Sequence, residues 1–444
     1  MKTPREQPLH TRRQFLRTSV LGGALASTVP LFLEKTFLTL DSMAAASPGQ
    51  YPTGKDATIL VVLQLAGGND GINTLVPFAD DAYYKARPRI ALPAGQVLRI
   101  NDYAALHPSL SGMRTLYGDG HLGMVQGVGY PNPNRSHFRS TEIWQTASDA
   151  DRNVSEGWLG RYFDNSCKGD DPCAGVAIAA QTPQAFASSR PQGIAFSRPE
   201  QFRYMSESAV DPSAADAFFR EMNKPTEQMD SVSGENSGES IGMISGHADN
   251  DGKTIEFLQR TALGAQMSSD RILAITRKTK SPVNYPASEL GNSLNLVARL
   301  IAGGLPTRVY YVSQGGYDTH ANQLPAHDIR MKDLDASTSS FVADLKAQGN
   351  FDRVLMISFS EFGRRVAENA SAGTDHGAAA PLFLVGGKVK PGLYGAYPSL
   401  TDLHDGDLKF NTDFRSVYAT ALENWLGAPS ERVLGRKFPL LPFI

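Results

Sequence analysis

Thr58-Ile59-Leu60-Val61-Val62-Leu63-Gln64-Leu65, followed at once by Ala66-Gly67-Gly68-Asn69-Asp70-Gly71, is the stretch that decides the fold of this chain. A continuous apolar run of this length, closed by a glycine-rich turn, reads as a strand buried on both faces. Working outward, 122–128 (LGMVQGV), 176–180 (VAIAA), 308–313 (RVYYVS), 354–359 (VLMISF) and 382–385 (LFLV) share that pattern. Helical patterns lie between them at 136–146, 255–276, 288–302 and 329–347. Strands alternating with helices predict an α/β fold, a mostly parallel central sheet with helices on both faces. The stretch 225–252 interrupts this order. It is rich in Ser, Gly, Glu, Asp and Asn, and reads as a polar surface loop or insertion within one domain spanning 51–444.

The N-terminus carries an address. Thr11-Arg12-Arg13-Gln14-Phe15-Leu16 precedes a weakly hydrophobic run rich in Gly and Ala, which reads as a twin-arginine export signal over 1–46. Pro30, Glu34 and Lys35 interrupt that run, so no stretch of about 20 apolar residues is there to span a bilayer. Met43-Ala44-Ala45-Ala46 supplies the small residues for cleavage after Ala46. The expectation is a periplasmic or secreted protein that meets the twin-arginine translocase on its way out. It has no stable membrane span in its mature form.

The formal net charge of −2 gives no support for a nucleic-acid or anionic-membrane partner. Cys167 and Cys173 are the only cysteines. In an oxidising compartment they are expected to close a small disulfide loop, since no nearby histidine completes a metal site around them.

Open α/β sheets bind ligands beyond the carboxyl ends of their strands. The first strand runs into Asp70, the 308–313 strand into Gly315-Gly316-Tyr317-Asp318-Thr319-His320, and the 354–359 strand into Ser360-Glu361-Phe362-Gly363-Arg364-Arg365. Thr374-Asp375-His376-Gly377 stands just before the 382–385 strand. Singly, each has a structural reading: Asp70 would make an Asx turn, and Glu361 would pair with Arg364. Together, carboxylates and imidazoles at one sheet edge need a cation to offset their repulsion and desolvation. Asp70, Asp318, His320, Glu361 and His376 are the expected metal ligands, with Asp375 a ligand or a partner holding one. The expected cofactor is one or two divalent ions, zinc first, with Mn, Fe, Ca and Mg as alternatives.

Tyr130-Pro131-Asn132-Pro133-Asn134-Arg135-Ser136-His137-Phe138-Arg139-Ser140 follows the 122–128 strand and opens a helix. Ser136, near the start of that helix, is the candidate nucleophile, or merely its cap. Arg135 and Arg139 are the candidate anion holders, and His137 a general acid or a structural donor.

The order of these motifs resembles the twin-arginine-exported family known as domain of unknown function 1501. The matching landmarks are LQLAGGNDGINTLVP (63–77), NRSHFRSTEIWQTA (134–147), GGYDTHANQ (315–323), SEFGRR (360–365) and TDHG (374–377). That family is similar to the alkaline phosphatase and sulfatase superfamily, and the resemblance implies an alkaline-phosphatase-like fold. It also implies a metal-dependent hydrolase of small anionic phosphate or sulfate esters. In that correspondence Asp70 matches the metal-binding aspartate after the first strand, and Ser136 stands where the nucleophile stands. Asp318 and His320 match the next ligand group, at a shorter spacing. Glu361-Phe362 stands where an Asp-His pair is usual, so one imidazole is missing. The alternative is a non-catalytic periplasmic binding or envelope protein that retains the hydrolase fold.

Overall fold

In the computed structural model the opening apolar run forms the strand Ile59–Leu65 (β1), with all seven residues buried. The structure describes residues 57–167, 173–188, 193–201 and 268–444. The export segment 1–46, the polar stretch 225–252 and the first part of the helix expected at 255–276 lie outside the described residues. A helix at 268–278 is what is described of the last. Residues 57–199 and 268–444 belong to one compact unit.

The other strands of the main sheet follow in chain order. They are Leu122–Gly129 (β2), Gly175–Ala177 (β3), Gly193–Ala195 (β4), Val309–Gln314 (β5), Val354–Phe359 (β6), Ala380–Gly386 (β7), Gly392–Tyr394 (β8) and Thr412–Asp413 (β9). Their spatial order is β8-β2-β7-β6-β1-β5-β3-β4, with β9 beside β2. β1 runs parallel to both neighbours, pairing Leu65 with Gln314 of β5 and Gln64 with Phe359 of β6. β7 is the exception: it lies antiparallel to β2 and β6, with Ala380 opposite Val128. The sheet is therefore mixed and mostly parallel. Its reversed strand begins at the edge where β1, β2, β5 and β6 end.

Successive side chains of a strand alternate between faces. Leu60 and Val62 pack with Val309, Tyr311, Leu355, Ile357, Leu382 and Leu384 under three helices. These are His137–Thr146 (α2), Trp158–Ser166 (α3) and Phe414–Thr420 (α6). Ile59, Val61 and Leu63 point the other way and are equally buried. Glu289–Ala302 (α4) packs on β5 and on Gln323–Ala347 (α5), and none of the residues of either helix joins the first cluster. A four-residue helix, Gly71–Thr74 (α1), follows β1 directly. α5 starts earlier than the expected 329 because Pro325 falls in its first turn, where its missing N–H and fixed φ are tolerated.

Cys167 and Cys173 are both buried, and no disulfide joins them. The expected bridge is therefore corrected to two thiols, and burial raises the pKa of Cys167 against the hydrogen bond to Tyr162.

Trp144 fastens α2 to the sheet. Its ring stacks on Phe359 and Phe414, with centroids 5.2 and 4.3 Å away. Trp144→Ala is expected to lower stability by about 3–5 kcal/mol in urea unfolding, through the lost burial and the cavity left behind. A loss within about 0.5 kcal/mol, the range of a surface change, would contradict this anchoring role.

Candidate metal centre

Five segments meet beyond the carboxyl edge of the sheet. The loop after β1 supplies Gly67 and Gly68, the loop after β5 supplies Asp318 and His320, and the loop after β6 supplies Glu361 and Arg364. His376 arrives from the opposite direction because it precedes the antiparallel β7, and it makes an isolated antiparallel bridge with Arg364. His137 is the first residue of α2. Gly67 sits at a φ of +121°, and a Cβ there would come within 2.5 Å of the Asp318 nitrogen, so only glycine lets these two loops touch.

Two of the imidazoles, His137 and His376, share one orientation. Nδ1 of His376 faces the carbonyl of Arg135 at 2.8 Å, and Nδ1 of His137 faces Glu361 Oε1 at 2.8 Å. Both partners accept only, so each Nδ1 carries a proton, and in the neutral tautomer each ring turns an Nε2 lone pair inward. Those lone pairs meet other acceptors. His376 Nε2 lies 3.3 Å from Asp318 Oδ1 and 2.9 Å from His320 Nε2, and His137 Nε2 lies 3.6 Å from Asp318 Oδ2. His320 Nε2 is 3.0 Å from Asp318 Oδ1. His137 Nε2 is buried and has no hydrogen-bond partner among the described residues.

Protonation does not resolve this crowding at His376, because burial lowers its pKa despite its contacts to the Arg135 carbonyl and Asp318. Asp318 stays ionised: burial opposes it, but the hydrogen bond and the charge of Arg364 bring its pKa down to about 2. Lone pairs aimed at a carboxylate suit a bound cation. Among the described residues one group of potential ligands is compact enough to hold one, His137, Asp318 and His376, with ligand atoms within 4.8 Å of one another.

The remaining charged residues hold this arrangement in place. Glu361 is buried and accepts from the Gly67 amide at 2.8 Å as well as from His137. Ser140 of α2 donates to the Glu361 carbonyl, which fixes the helix against the β6 loop. Asp375 Oδ1 lies 3.5 Å from His320 Nδ1 and accepts from Asn369 at 3.1 Å. Arg364 is fully buried; it donates to the carbonyls of Gly67, Gly68, Tyr317 and Thr374, and to Asp318 Oδ1 at 2.8 Å.

Other expected site residues are placed elsewhere. Asp70 does not join the ligand group. Its carboxylate receives Arg87 at 2.6 Å, Gln323, and the amides of Ile72 and Asn73 at the start of α1. Burial works to raise its pKa, but the charge and hydrogen bond of Arg87 hold it below the usual value. Ser136 precedes α2 with an exposed side chain, and its hydroxyl does not cap the helix. The guanidinium of Arg139 is held by Glu142 and by the carbonyls of Asp149, Ala150 and Arg152, so it serves the loop after α2. Arg135 binds Asp407 with its side chain and His376 with its carbonyl. Arg364, Arg87 and Gln323 were not expected at the site. Arg364 and Gln323 stood inside recognised motifs, whereas Arg87 carries no local signal.

The family model described as "Protein of unknown function (DUF1501)" matches residues 57–437. No curated protein matches the chain. Among solved structures, a protein in the alkaline phosphatase superfamily from Vibrio parahaemolyticus is 9% identical, with 92% of this chain and 78% of that one covered and a TM-score of 0.37. The alkaline phosphatase from the Antarctic bacterium TAB5 is 13% identical over 76% of this chain and 95% of its own, with a TM-score of 0.31. A sulfatase from Pseudoalteromonas sp. is 12% identical, covers 87% and 71%, and gives a TM-score of 0.36. At these scores none of them carries the functional argument, which rests on the geometry of the centre.

Two variants separate the buried pair from the centre. Asp70→Asn leaves Arg87 buried and unpaired, and is expected to cost about 3–5 kcal/mol in urea unfolding with metal content unchanged. The folded pKa of Asp70 lies below its unfolded value. Its contribution is therefore complete above about pH 4 and lost as pH falls through the folded value, so the variant has a flatter acid limb. Loss of metal with unaltered stability would contradict this assignment. Glu361→Gln is expected to weaken divalent-metal binding about 10–100-fold, read by competition with a chelator, and unchanged affinity would contradict the role given to Glu361.

Proposed function

We propose that this chain, which belongs to the DUF1501 family, is a metal-dependent hydrolase of phosphate or sulfate esters that acts after export. The observation that carries the reading is the set of imidazole Nε2 atoms of His137, His320 and His376 gathered around the Asp318 carboxylate. His137, Asp318 and His376 would hold the ion, with His320 beside them. A donor set this rich in imidazole favours zinc or iron over calcium or magnesium. When bound, the ion supplies Lewis acidity toward an ester's anionic oxygens.

The protein's own residues do the rest. Glu361 fixes the tautomer and direction of His137, and the Arg135 carbonyl does the same for His376. Arg364 keeps Asp318 ionised and aimed. Ser136 is the candidate nucleophile: its neighbours on both sides are tied into the centre, and its hydroxyl is exposed and is not used to cap α2. In this reading Ser136 Oγ bonds to the ester's phosphorus or sulfur as the bond to the alcohol oxygen breaks and the alcohol leaves with the serine's proton. Water then displaces the serine, which regains a proton, and inorganic phosphate or sulfate is released.

The export signal at 1–46 is part of the same proposal. Passage through the twin-arginine translocase in the folded state lets the ion be chosen before the protein reaches the periplasm or the medium. Among the described residues no helix is long and apolar enough to cross a membrane.

A second reading, a metal-binding envelope protein without turnover, draws support from Phe362. Its ring packs 4.9 Å from His137 and 4.5 Å from His376, following Glu361 where an imidazole ligand was looked for.

Elemental analysis of the exported protein, paired with turnover of aryl phosphate and aryl sulfate esters, tests both. The expected result is a stoichiometric transition metal that is lost in His137→Ala and His376→Ala, with turnover lost in Ser136→Ala while metal is retained. Turnover undiminished in Ser136→Ala removes the serine. Metal without turnover of either ester selects the second reading, and absence of metal removes both.

A further inference from the structure

One buried carboxylate beside the centre serves two guanidinium groups and satisfies only one of them. Asp407 belongs to a small hairpin, Leu403–His404 paired with Asp407–Leu408, and its side chain is 3% exposed. Its Oδ2 accepts from Arg135 Nε at 2.8 Å and Nη2 at 2.5 Å. Its Oδ1 faces Arg365 Nε at 3.6 Å, beyond hydrogen-bond length. Both of those atoms are buried and without a hydrogen-bond partner among the described residues.

The backbones of the two arginines flank the segment that carries His376. The Arg135 carbonyl receives His376 Nδ1 at 2.8 Å, and the Arg365 amide donates to the Asp375 carbonyl at 3.0 Å. Their side chains remain partly open, 38% exposed for Arg135 and 37% for Arg365. Arg135 commits Nε and Nη2 to Asp407 and keeps Nη1. Among the described residues the Arg365 guanidinium makes no hydrogen bond, and its nearest carboxylate is the one 3.6 Å away. A guanidinium held at one edge presents its other N–H groups in a planar fork, the geometry that binds the paired oxygens of an oxyanion.

We propose that Arg135 and Arg365, organised by Asp407, form an anion-recognition pair at the rim of the centre. Its ligand is a tetrahedral oxyanion, phosphate or sulfate, carried by the substrate. The inference deepens the hydrolase reading by assigning the residues that select an anionic ester. It draws on that reading for the identity of the reacting bond, not for the anion contact itself. Asp407 acts as a positioning residue. It holds Arg135 in place, and an oxyanion bridging the two arginines would occupy the donors that Arg365 leaves open. Arg139, which also stands near the start of α2, has no part in this because loop carbonyls and Glu142 already take its guanidinium.

Calorimetric titration of inorganic phosphate and inorganic sulfate into the full chain tests the proposal, with metal content measured on the same samples. Arg365→Gln is expected to weaken binding of at least one of these anions tenfold or more, with metal content and melting temperature unchanged. Arg135→Gln is expected to weaken it as much with metal content unchanged and a lower melting temperature, because it leaves the buried Asp407 carboxylate without its partner. Arg365→Lys, which keeps the charge and loses the fork, should recover part of that loss. Binding at parent affinity in Arg365→Gln overturns the proposal, and so does a parent chain that binds neither anion. Loss of affinity that comes only with loss of metal overturns it as well, because the arginine would then act through the centre. A chain without metal whose phosphate binding still depends on Arg365 keeps this inference and removes the hydrolase reading. A metal-loaded chain indifferent to Arg365→Gln does the reverse.

Discussion

The guanidinium of Arg364 is fully buried, and it donates to carbonyls in three separate segments and to the carboxylate of Asp318. Guanidinium does not lose its proton at any ordinary pH, so each buried N–H needs an acceptor that the fold itself provides. Gly67 and Gly68 supply two acceptors from the β1 loop. Tyr317 and Asp318 supply two from the β5 loop, and Thr374 supplies one from the segment before β7. Moving any of these segments would leave part of a buried charge unsatisfied, at a cost of several kcal/mol. The loops are thus held together by one cation, and the positions of Asp318 and His376 follow from it.

The same logic repeats one layer away with different partners. Asp70 and Arg87 form a second buried pair, closed by Gln323 from α5 and by the amides that begin α1. This pair fixes the β1 turn from one side while Arg364 fixes it from the other. Between them Gly67 donates its amide to Glu361, so the carboxylate that orients His137 is set by the same turn. The centre therefore depends on a small number of buried charges, each with its acceptors fully specified, and the glycines allow the loops carrying them to touch.

Much of this was legible in the sequence. The apolar runs of β1, β5 and β6 announced a parallel sheet, and the strand-end motifs named Asp318, His320, Glu361 and His376 as neighbours at one edge. The direction of β7 was not legible, since a short buried strand reads the same either way along the sheet. That reversal is the reason His376 reaches the edge from a motif preceding its strand. Asp70 shows the limit most clearly. Its place after β1 was correct, but nothing local says whether its carboxylate faces the centre or turns inward to Arg87, 17 positions on in a stretch without strand signal. Glu361 was expected as a metal ligand, with a pairing to Arg364 as the structural alternative, and instead holds His137 and the Gly67 amide. The edge strands β4, β8 and β9 are too short to carry a periodic signal.

The central claim is that a divalent ion belongs between His137, Asp318 and His376. Anomalous scattering from crystals of the exported protein, collected on both sides of the metal's absorption edge, tests it most directly. A single peak within bonding distance of His137 Nε2, His376 Nε2 and an Asp318 oxygen is the predicted result. A peak at Asp70, or no peak after soaking with zinc, would contradict it.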